Sequence, residues 1–578
     1  MNGSPPNRDL AAAPSTDTGA RPAMRFTRTD VAALVLIALM LLLPVPGLWH
    51  YQGPPMEEGF MLAFPQRILA GELPHRDFLH LYGPGSLYVL AGVFKVFGST
   101  LGVERAVGLV QHGLLIAAVY LFARRWGRPV GATAALTTLL IAISPLGLSA
   151  MAWNGAIALG ACSVLAASSC LDRPRRAAAI AAGVCAGAAL LYRPDLVVAI
   201  GLSALAWWWT TRRDEAQRCP RRVSLLAILS TGLLVVPFVI AVGPGRAFEG
   251  MVTQPVFDLR PGRALPVPPG WSAPDGFLQN AGKLRVSAWP LPMPGIGAQI
   301  AMWFWLVPLS IAVVGFVAVR NWRRDRASPT GRALTIGAAF GLGLLGQALQ
   351  RPDTAHLSWV SCWTFAMIPV AVSAQLVQRR GRTPASASVS SRRSQVLRNA
   401  AAVAPVAVIL LAVIPFYPLR TYADLVGQTF GHNVFGYPIR RGERVFYYGS
   451  ADAADAAQRI VDRLSADSRP GQTLIVGPID FARTPYSDAF FYALFPELEP
   501  GTRYIEMDPG IADAAGSGLA DELRHDDWLI QSRVWSNWDE PNRSRESGDP
   551  TPDKVVAAQF CTVLDTGPFR LSRHCTKS

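Results

Sequence analysis

Two adjacent glutamates, Glu57 and Glu58, follow the first strongly apolar segment of the chain, in the stretch PPMEEGF. A carboxylate beside a bilayer is costly unless it is solvated, paired or used in a reaction. A general base that takes the proton of an acceptor hydroxyl contributes about 10²–10⁴ to a rate. Glu57 and Glu58 are therefore candidate catalytic residues. The alternative is that they only stabilise the N-terminus of the following helix, by about 0.3–1 kcal/mol.

A second polar stretch, HRDFLHLYGPG, follows about twenty residues later. Its side chains Arg76, Asp77, His80 and Tyr82 are candidate substrate contacts, because they lie in the same segment as the glutamates. The Gly-Pro-Gly sequence is typical of a turn. The alternative is that these polar groups only order the loop around that turn.

The tripeptide Arg-Pro-Asp occurs twice, each time directly after an apolar segment, at 193–195 and 351–353. Arginine binds phosphate in a bidentate manner. The alternative is structural, because proline starts a helix, aspartate favours its N-terminus and arginine reaches out of the bilayer. We predict that both copies and the histidine after the second bind substrate: Arg193, Asp195, Arg351, Asp353 and His356.

The composition identifies the type of protein that must position these groups. The 578 residues are 51% hydrophobic and only 16% charged, whereas soluble chains carry about 25% charged residues. Apolar runs of about 17–25 residues, each long enough to cross about 30 Å of hydrocarbon, recur along the chain. The sequence predicts an α-helical polytopic membrane protein with about eleven spans: 30–49, 106–123, 130–149, 152–171, 177–192, 196–211, 223–243, 298–319, 333–350, 357–377 and 400–418.

The distribution of charge predicts the topology. Arginines precede the first span, which places the N-terminus inside. Alternate connections are then all basic: Arg124–Arg128, Asp172–Arg176, Arg212–Arg222, Arg320–Arg332 and Gln378–Arg398. Residues 420–578 carry 17 basic and 23 acidic side chains, a net charge of −6, and the remainder carries 37 and 17, a net charge of +20. Because the positive charge falls in short loops, it requires no nucleic-acid partner.

These patterns divide the chain into three parts. Residues 1–24 are predicted to be a disordered inner tail, and 25–419 a transmembrane domain. Its large outer loops are 50–105, with amphipathic helices on the membrane surface at 60–70 and 86–97, and 244–297. Residues 420–578 are predicted to be an outer α/β domain, since QTLIVGP and DDWLIQS have the pattern of buried strands.

Other polar residues outside the spans gave weaker indications. Arg260, Arg263, Lys283 and Arg285 make the second outer loop basic, which suits phosphate or a solvated loop equally well. The stretch SRVWSNWDEPN suits a sugar ring through its aromatic and acidic side chains, although tryptophan in a small domain more often belongs to the core. The acidic turns IDFARTPYSD and YIEMDPG show no recognisable catalytic pattern.

The cysteines and the missing motifs limit the chemistry. Cys561 and Cys575 flank a predicted hairpin, where a disulfide is expected on an oxidising side of the membrane. No G-x-x-x-x-G-K-[ST] run is present. The predicted spans hold almost no ionisable residues, whereas proton-coupled transporters usually carry them at membrane depth. A site that faces outward is therefore favoured.

The residues of the first outer loop resemble those of the C-type glycosyltransferase superfamily, and within it the bacterial branch related to protein O-mannosyltransferases and aminoarabinose transferases. The resemblance lies in the motifs EEG, GELPHRDF, YGPGS and VFGSTLGVER, the last ending at Arg105. It implies an enzyme that transfers a sugar from a polyprenyl-phosphate-linked donor to a cell-envelope glycan, lipid or protein on the outer face of the bacterial cytoplasmic membrane. It also implies inversion at the anomeric centre, with an acid of the first loop as base. Glu57 stands where that family usually has aspartate, so either glutamate qualifies.

Two other functions remain open from the sequence. One is a transporter or flippase of lipid-linked saccharides, and the other is a non-catalytic assembly protein of the cell envelope. The second would be favoured if Glu57, Asp77, Arg193 and Arg351 lay far apart. A divalent metal could be recruited by acids near a phosphate, but the sequence contains no clear ligand set.

Overall fold

The computed structural model describes residues 26–50, 53, 55–276, 279, 290–380, 392–432 and 434–575. The predicted tail 1–24 and the basic residues Lys283 and Arg285 lie outside the described residues, as does part of the last basic connection. The helices that precede the C-terminal sheet are α1 (Arg28–Leu42), α2 (Val45–Trp49), α3 (Pro55–Leu69), α4 (Gly85–Phe97), α5 (Leu101–Ala123), α6 (Arg128–Leu146), α7 (Ala152–Asp172), α8 (Arg176–Tyr192), α9 (Val197–Thr211), α10 (Arg218–Gly232), α11 (Val236–Val242), α12 (Pro244–Phe248), α13 (Arg260–Arg263), α14 (Ile296–Arg324), α15 (Pro329–Gln350), α16 (Thr354–Thr364), α17 (Met367–Arg380), α18 (Arg392–Val408) and α19 (Thr421–Thr429).

The chain is an α-helical polytopic membrane protein. Nine helical stretches of the described residues are long and apolar enough to cross a bilayer: Arg28–Trp49, Leu101–Trp126, Arg128–Leu146, Ala152–Asp172, Glu215–Val242, Ile296–Arg324, Pro329–Gln350, Thr354–Val377 and Gln395–Val413. The sequence predicts eleven. The two others are helical but shorter, because α8 has 17 residues and α9 has 15.

Small residues allow the spans to approach one another closely. A Cβ added to Gly183 of α8 would lie 2.3 Å from the Ser224 carbonyl oxygen of α10, and one added to Gly187 would lie 2.6 Å from Thr231. Glycines four residues apart share one helix face, and at helix contacts in membranes they permit backbone approach. The sequence of α8 therefore sets how tightly it packs against α10.

The connections at one end of the bundle carry the arginines, and we call this the basic end. Buried Asp30 accepts from Arg128 Nε at 2.9 Å and from Arg124 Nη1 at 3.1 Å. Two more ion pairs join neighbouring connections, Arg125 with Asp172 at 2.5 Å and Arg332 with Asp214 at 2.7 Å. Four of the five basic connections predicted from the sequence thus lie together, at one end of the helices.

The segment between α2 and α5 lies at the opposite end. The structure corrects the expectation of a surface helix at 60–70, because residues 60–64 of α3 are buried and Gly59 lies against the backbone of Phe490. It also corrects the expectation of nearly uncharged spans. The span α5 begins at Leu101, five residues earlier than predicted, and therefore includes the fully buried side chains Glu104 and Arg105.

The C-terminal region, residues 434–575, contains two sheets and short helices. Its elements are β1 (Tyr437–Arg441), β2 (Arg444–Tyr448), α20 (Ala451–Asp467), β3 (Thr473–Pro478), α21 (Phe490–Leu494), β4 (Glu499–Pro500), α22 (Leu519–His525), β5 (Trp528–Ser532), α23 (Thr551–Gln559), β6 (Phe560–Asp565) and β7 (Phe569–His574).

The larger sheet has the order β4-β3-β5-β7-β6. The two predicted strands, β3 and β5, are adjacent and parallel, and the five residues of β5 are all buried. The strand β7 pairs antiparallel with β5 on one side and with β6 on the other, and a disulfide joins Cys561 of β6 to Cys575 just after β7. The mixed sheet and its helices form the α/β region that the sequence predicts.

Candidate active site

A cavity of about 200 Å³ lies at the end of the bundle opposite the basic end. Its lining comes from the start of α3, the segment that contains Tyr82, the junction of α6 and α7, the ends of α8 and α15, the segment around α13, the start of α16, and the C-terminal region. Its polar lining residues are Glu57, Tyr82, Arg193, Asp195, Arg260, Arg263, Gln347, Gln350, Arg351, Asp353, His356, Tyr486 and Glu506.

Glu57 lies in the first turn of α3 and is half-buried at the cavity wall. Burial raises the pKa of its carboxyl from 4.5 to about 7. The positive charge of Arg263 opposes this rise, while the negative charges of Asp353 and Glu58 add to it. A carboxyl with a pKa near neutrality can both accept and release a proton at physiological pH.

Glu58 has a different environment from its neighbour. Its carboxylate is buried and accepts two hydrogen bonds from Arg105, from Nε at 2.8 Å and from Nη2 at 2.7 Å. Arg105 also donates through Nη1 to the carbonyl oxygens of Leu48 at 2.7 Å and Trp49 at 3.0 Å. Glu58 does not line the cavity. Its ion pair fixes the start of α3 against α2 and α5, and thereby orients Glu57.

The first Arg-Pro-Asp copy ends α8. Arg193 donates to Asp195 from Nε and Nη2, both at 3.0 Å. Its guanidinium lies over two aromatic rings, 4.0 Å from the centroid of Tyr82 and 4.6 Å from that of Trp153. Asp195 also accepts from Gln347 of α15 at 2.6 Å. The planar cation is therefore held at the cavity wall by an ion pair and two cation–π contacts.

The second copy repeats this local geometry at the end of α15. Arg351 donates from Nε to Asp353 at 2.7 Å, and Asp353 caps α16 by accepting from the backbone and Nδ1 of His356, both at 2.9 Å. Burial alone would raise the pKa of Asp353, but His356 and Arg351 hold it well below its usual range. Arg351 also donates to Glu540 of the C-terminal region at 2.5 Å. The two copies therefore meet in one cavity.

Arg263 of α13 connects the loop after the fifth long span with the C-terminal region. It forms an ion pair with buried Asp508, and Glu506 lies 3.9 Å from its Nη2. Its guanidinium also lies 4.7 Å from the ring centroid of Tyr486. Burial and the neighbouring charge of Asp508 raise the pKa of Glu506 well above its usual value. A second carboxyl with a raised pKa therefore lines the cavity with Glu57.

The contacts of Arg263 with Glu506 and Asp508 have little signal in the sequence. Glu506 and Asp508 belong to the stretch YIEMDPG, which has no recognisable catalytic pattern, and Arg263 is one of several basic residues in its loop. Trp535 and Trp538 are buried core residues rather than cavity residues, and Trp535 Nε1 donates to Asp488 at 3.1 Å. The excess of acidic residues in the C-terminal region is the sequence feature that indicates pairing with these arginines.

Three of the predicted substrate contacts do not line the cavity. Arg76 donates to Asp77 at 2.8 and 2.9 Å, and Asp77 accepts from the backbone of Leu73 at 2.8 Å, so this pair orders the loop. His80 is fully buried, with its ring 5.4 Å from that of Tyr82. His80 therefore supports the cavity wall from behind, through Tyr82.

The described residues contain no group of three or more His, Cys, Asp or Glu side chains placed to hold a metal ion. The cavity wall contains four carboxyl groups, and three of them lie beside an arginine. Asp195 pairs with Arg193, Asp353 pairs with Arg351, and Glu506 lies 3.9 Å from Arg263. A divalent metal recruited together with a phosphate remains a prediction.

No protein-family model matches the chain, and no curated protein matches it in sequence. Several solved structures have a similar arrangement of helices. One is ArnT from Cupriavidus metallidurans bound to undecaprenyl phosphate. The alignment covers 95% of this chain and 98% of that chain, at 13% identity and a TM-score of 0.49. For the oligosaccharyltransferase of Archaeoglobus fulgidus, in complex with zinc and sulfate, the coverage is 94% and 73%, the identity 12% and the TM-score 0.44.

A third structure is the arabinosyltransferase EmbB of Mycobacterium smegmatis, with 76% of this chain and 44% of that chain covered, 14% identity and a TM-score of 0.38. All three TM-scores lie below 0.5, so the similarity assigns no residue role and no activity to this chain.

Proposed function

We propose that the protein is an integral membrane glycosyltransferase. It transfers a sugar from a polyprenyl-phosphate-linked donor to an acceptor on the outer face of the bacterial cytoplasmic membrane, with its N-terminus inside and its C-terminal region outside. The observation that carries this proposal is the cavity that Glu57 shares with Arg193, Arg263 and Arg351.

Glu57 acts as the general base. With a pKa of about 7, a substantial fraction of its carboxyl is ionised at neutral pH, and the remaining proton affinity suits proton transfer from a hydroxyl. The acceptor oxygen forms a bond to the anomeric carbon and its proton passes to Glu57. The bond from that carbon to the donor phosphate breaks, and the phosphate leaves with the electron pair.

The charges of the cavity suit a leaving group of this type. Arg193 and Arg351 are buried and Arg263 is half-buried. All three are paired with carboxylates, so they need no rearrangement when negative charge develops. Arg260 is exposed at the cavity mouth and has no ion pair with a described residue. Arg260 therefore offers an incoming phosphate a positive charge that no carboxylate of the described residues already neutralises.

The surroundings of the cavity also suit a donor that arrives from the bilayer. Met251, Pro255, Val256 and Leu259 line the cavity beside Arg260, and Val256 is exposed. They form an apolar approach for an isoprenoid chain next to the phosphate-binding cation. The cavity volume of about 200 Å³ is below the roughly 300–1,000 Å³ of pockets for drug-sized ligands, which favours a single sugar unit.

The shared cavity also helps to decide between an enzyme and a non-catalytic assembly protein. The assembly-protein alternative would be favoured if the outer acids and arginines lay far apart. Of the four residues that decide between the two, Glu57, Arg193 and Arg351 line the same cavity and Asp77 does not. An assembly protein needs no such enclosed set of a base and cations, so this arrangement supports the enzyme.

The test is a deletion strain profiled for polyprenyl-linked sugars and cell-envelope glycans, complemented with wild type, Glu57→Gln or Glu249→Gln. Glu249 is an exposed glutamate outside the cavity and provides the matched control. Wild type and the control should restore the missing glycan and consume the lipid-linked donor. Glu57→Gln should insert normally, lower transfer by about 10²–10⁴ and let the donor accumulate. Full restoration by Glu57→Gln would refute the proposed mechanism.

A further inference from the structure

A second, larger cavity lies at the basic end of the bundle. Its volume is about 740 Å³, and it is formed where α9 and α14 end and α15 begins. The helix α15 has 22 residues and runs from this cavity to the Glu57 cavity, so the two are separated by about 30 Å. The proposed transfer reaction therefore makes no use of it.

The lining of this cavity is strongly basic. Arg332 is neutralised by Asp214 at 2.7 Å. Four other lining arginines have no ion pair with any residue in the part of the chain that the structure describes: Arg212, Arg213, Arg323 and Arg326. Glu215 is the other acid of the lining, so the cavity carries a net positive charge. An anion is the ligand that such a lining favours.

Two tryptophans hold part of this charge in place. The guanidinium of Arg212 lies 3.7 Å from the ring centroid of Trp209, and that of Arg326 lies 5.7 Å from the ring centroid of Trp322. Stacking fixes the plane of a guanidinium, whose hydrogen-bond donors match the oxygens of a phosphate. Tryptophan is also enriched at the level of lipid headgroups. These features distinguish the cavity from an ordinary basic loop.

Exposed apolar side chains continue from the cavity along both helices. Leu205 precedes Trp209 by four residues on α9, and Val319 precedes Trp322 by three on α14, so each lies on the same helix face as its tryptophan. Both are exposed, as is Phe316 one turn further along α14. An apolar surface thus extends from the cavity toward the middle of the bilayer.

We propose that this cavity binds the headgroup of an anionic phospholipid of the leaflet on the basic side, whose acyl chains lie along α9 and α14. The charge selects the phosphate, and the apolar surface selects a lipid over a soluble phosphate. Basic pockets between spans bind such headgroups, and each arginine near an anionic surface contributes about fivefold to affinity. This site is independent of the proposed transferase.

The experiment uses the purified full-length protein, stripped of lipid and titrated with phosphatidylglycerol or with phosphatidylcholine of the same acyl chains. Native mass spectrometry counts the lipids that remain bound. Wild type should retain phosphatidylglycerol in preference to phosphatidylcholine. The double variant Arg212→Gln, Arg323→Gln should lose this preference by roughly tenfold or more.

The matched control is Arg173→Gln, Arg175→Gln, which removes the same charge from exposed residues at the same end but outside the cavity. It should keep the wild-type preference, whereas an equal loss in both variants would overturn the proposal. Equal retention of the two lipids by wild type would also overturn it, and this needs no variant to fold. Millimolar inorganic phosphate should leave the lipid bound, and complete displacement by phosphate would overturn the assignment to a lipid.

Discussion

Glu57 and Glu58 are neighbours in the sequence with opposite surroundings. Consecutive helical residues point about 100° apart, so one faces the cavity while the other faces Arg105. The buried pair of Glu58 and Arg105 anchors α3. Glu57 has no ion pair among the described residues, and its pKa is the raised one. This division supports the proposed role of Glu57 as the base, with Glu58 as a positioning residue.

The pH dependence of the transfer rate should follow the carboxyl of Glu57. A base must be deprotonated to act, so below pH 7 the rate of wild type should fall about tenfold per pH unit, and above pH 7 it should level off. Arg263 lowers the pKa of Glu57, so Arg263→Gln should move the midpoint to higher pH. Initial rates measured between pH 5 and 9 check both expectations. An unchanged midpoint in Arg263→Gln would contradict the assignment.

The Glu58–Arg105 pair should be essential for stability rather than for proton transfer. Glu58→Gln removes the carboxylate that accepts two hydrogen bonds from buried Arg105, which costs about 3–5 kcal/mol. Its melting temperature in detergent should fall markedly, whereas Glu57→Gln should not be destabilised. The double variant Glu58→Met, Arg105→Met should recover part of the loss, because no unpaired charge remains. A melting temperature of Glu58→Gln equal to that of wild type would show that the pair is not needed.

At the scale of elements, the cavity is built from helix ends. The α8 and α15 helices run in the same direction from the basic end, and each ends at an arginine in extended conformation followed by proline. Proline cannot continue the hydrogen bonding of the helix, so the chain turns and the aspartate two residues later pairs with the arginine. The repeat is thus a structural corner and a charged wall at the same time, which unites the two interpretations that the sequence left open.

The turn after Tyr82 should be sensitive to the smallest added side chain. A Cβ on Gly83 would lie 2.3 Å from the carbonyl oxygen of Leu191 at the end of α8, so Gly83→Ala must displace the turn that carries Tyr82. We expect a loss of about 1–3 kcal/mol in stability, together with lower transfer activity. Gly92→Ala in α4 is the control, because its Cβ meets nothing within 4 Å, and it should be neutral or slightly stabilising. Thermal melting of both variants decides, and equal melting temperatures would contradict the close approach.

At the scale of the whole molecule, the C-terminal region completes the cavity. Glu540 pairs with Arg351, Asp508 pairs with Arg263, and both Tyr486 and Glu506 line the wall. The net charge of −6 on residues 420–578 therefore faces arginines from the bundle. The bundle and the C-terminal region are joined by this charge complementarity as well as by the contact of α3 with α21.

Thiol accessibility should reveal the orientation of the whole chain. Cys561 and Cys575 are joined in a disulfide, and Cys219 is exposed at the basic end. With the C-terminal region outside, a membrane-impermeant maleimide applied to intact spheroplasts should label Cys561 and Cys575 only after reduction. Cys219 should be labelled only after the membrane is permeabilised. Single-cysteine variants and mass spectrometry locate the label, and the reverse pattern would contradict the proposed orientation.

Local and periodic features of the sequence were enough to predict most of the fold. Apolar length located the spans, clustered arginines located one end of the bundle, and the strands β3 and β5 followed from their apolar runs. These properties depend on residues close together in the chain. The same holds for the two Arg-Pro-Asp corners, whose position at helix ends is readable from the proline.

Only the tertiary structure decided which acids and cations act together. Glu506 and Glu57 are separated by more than four hundred residues, and Glu540 reaches Arg351 from almost two hundred residues away. The environment of a carboxyl, and hence its pKa, depends on what long-range packing places around it and on how much water that packing excludes. For this reason the sequence could name the pair of glutamates, but only the fold showed that Glu57 faces the cavity and that Glu58 is paired with Arg105.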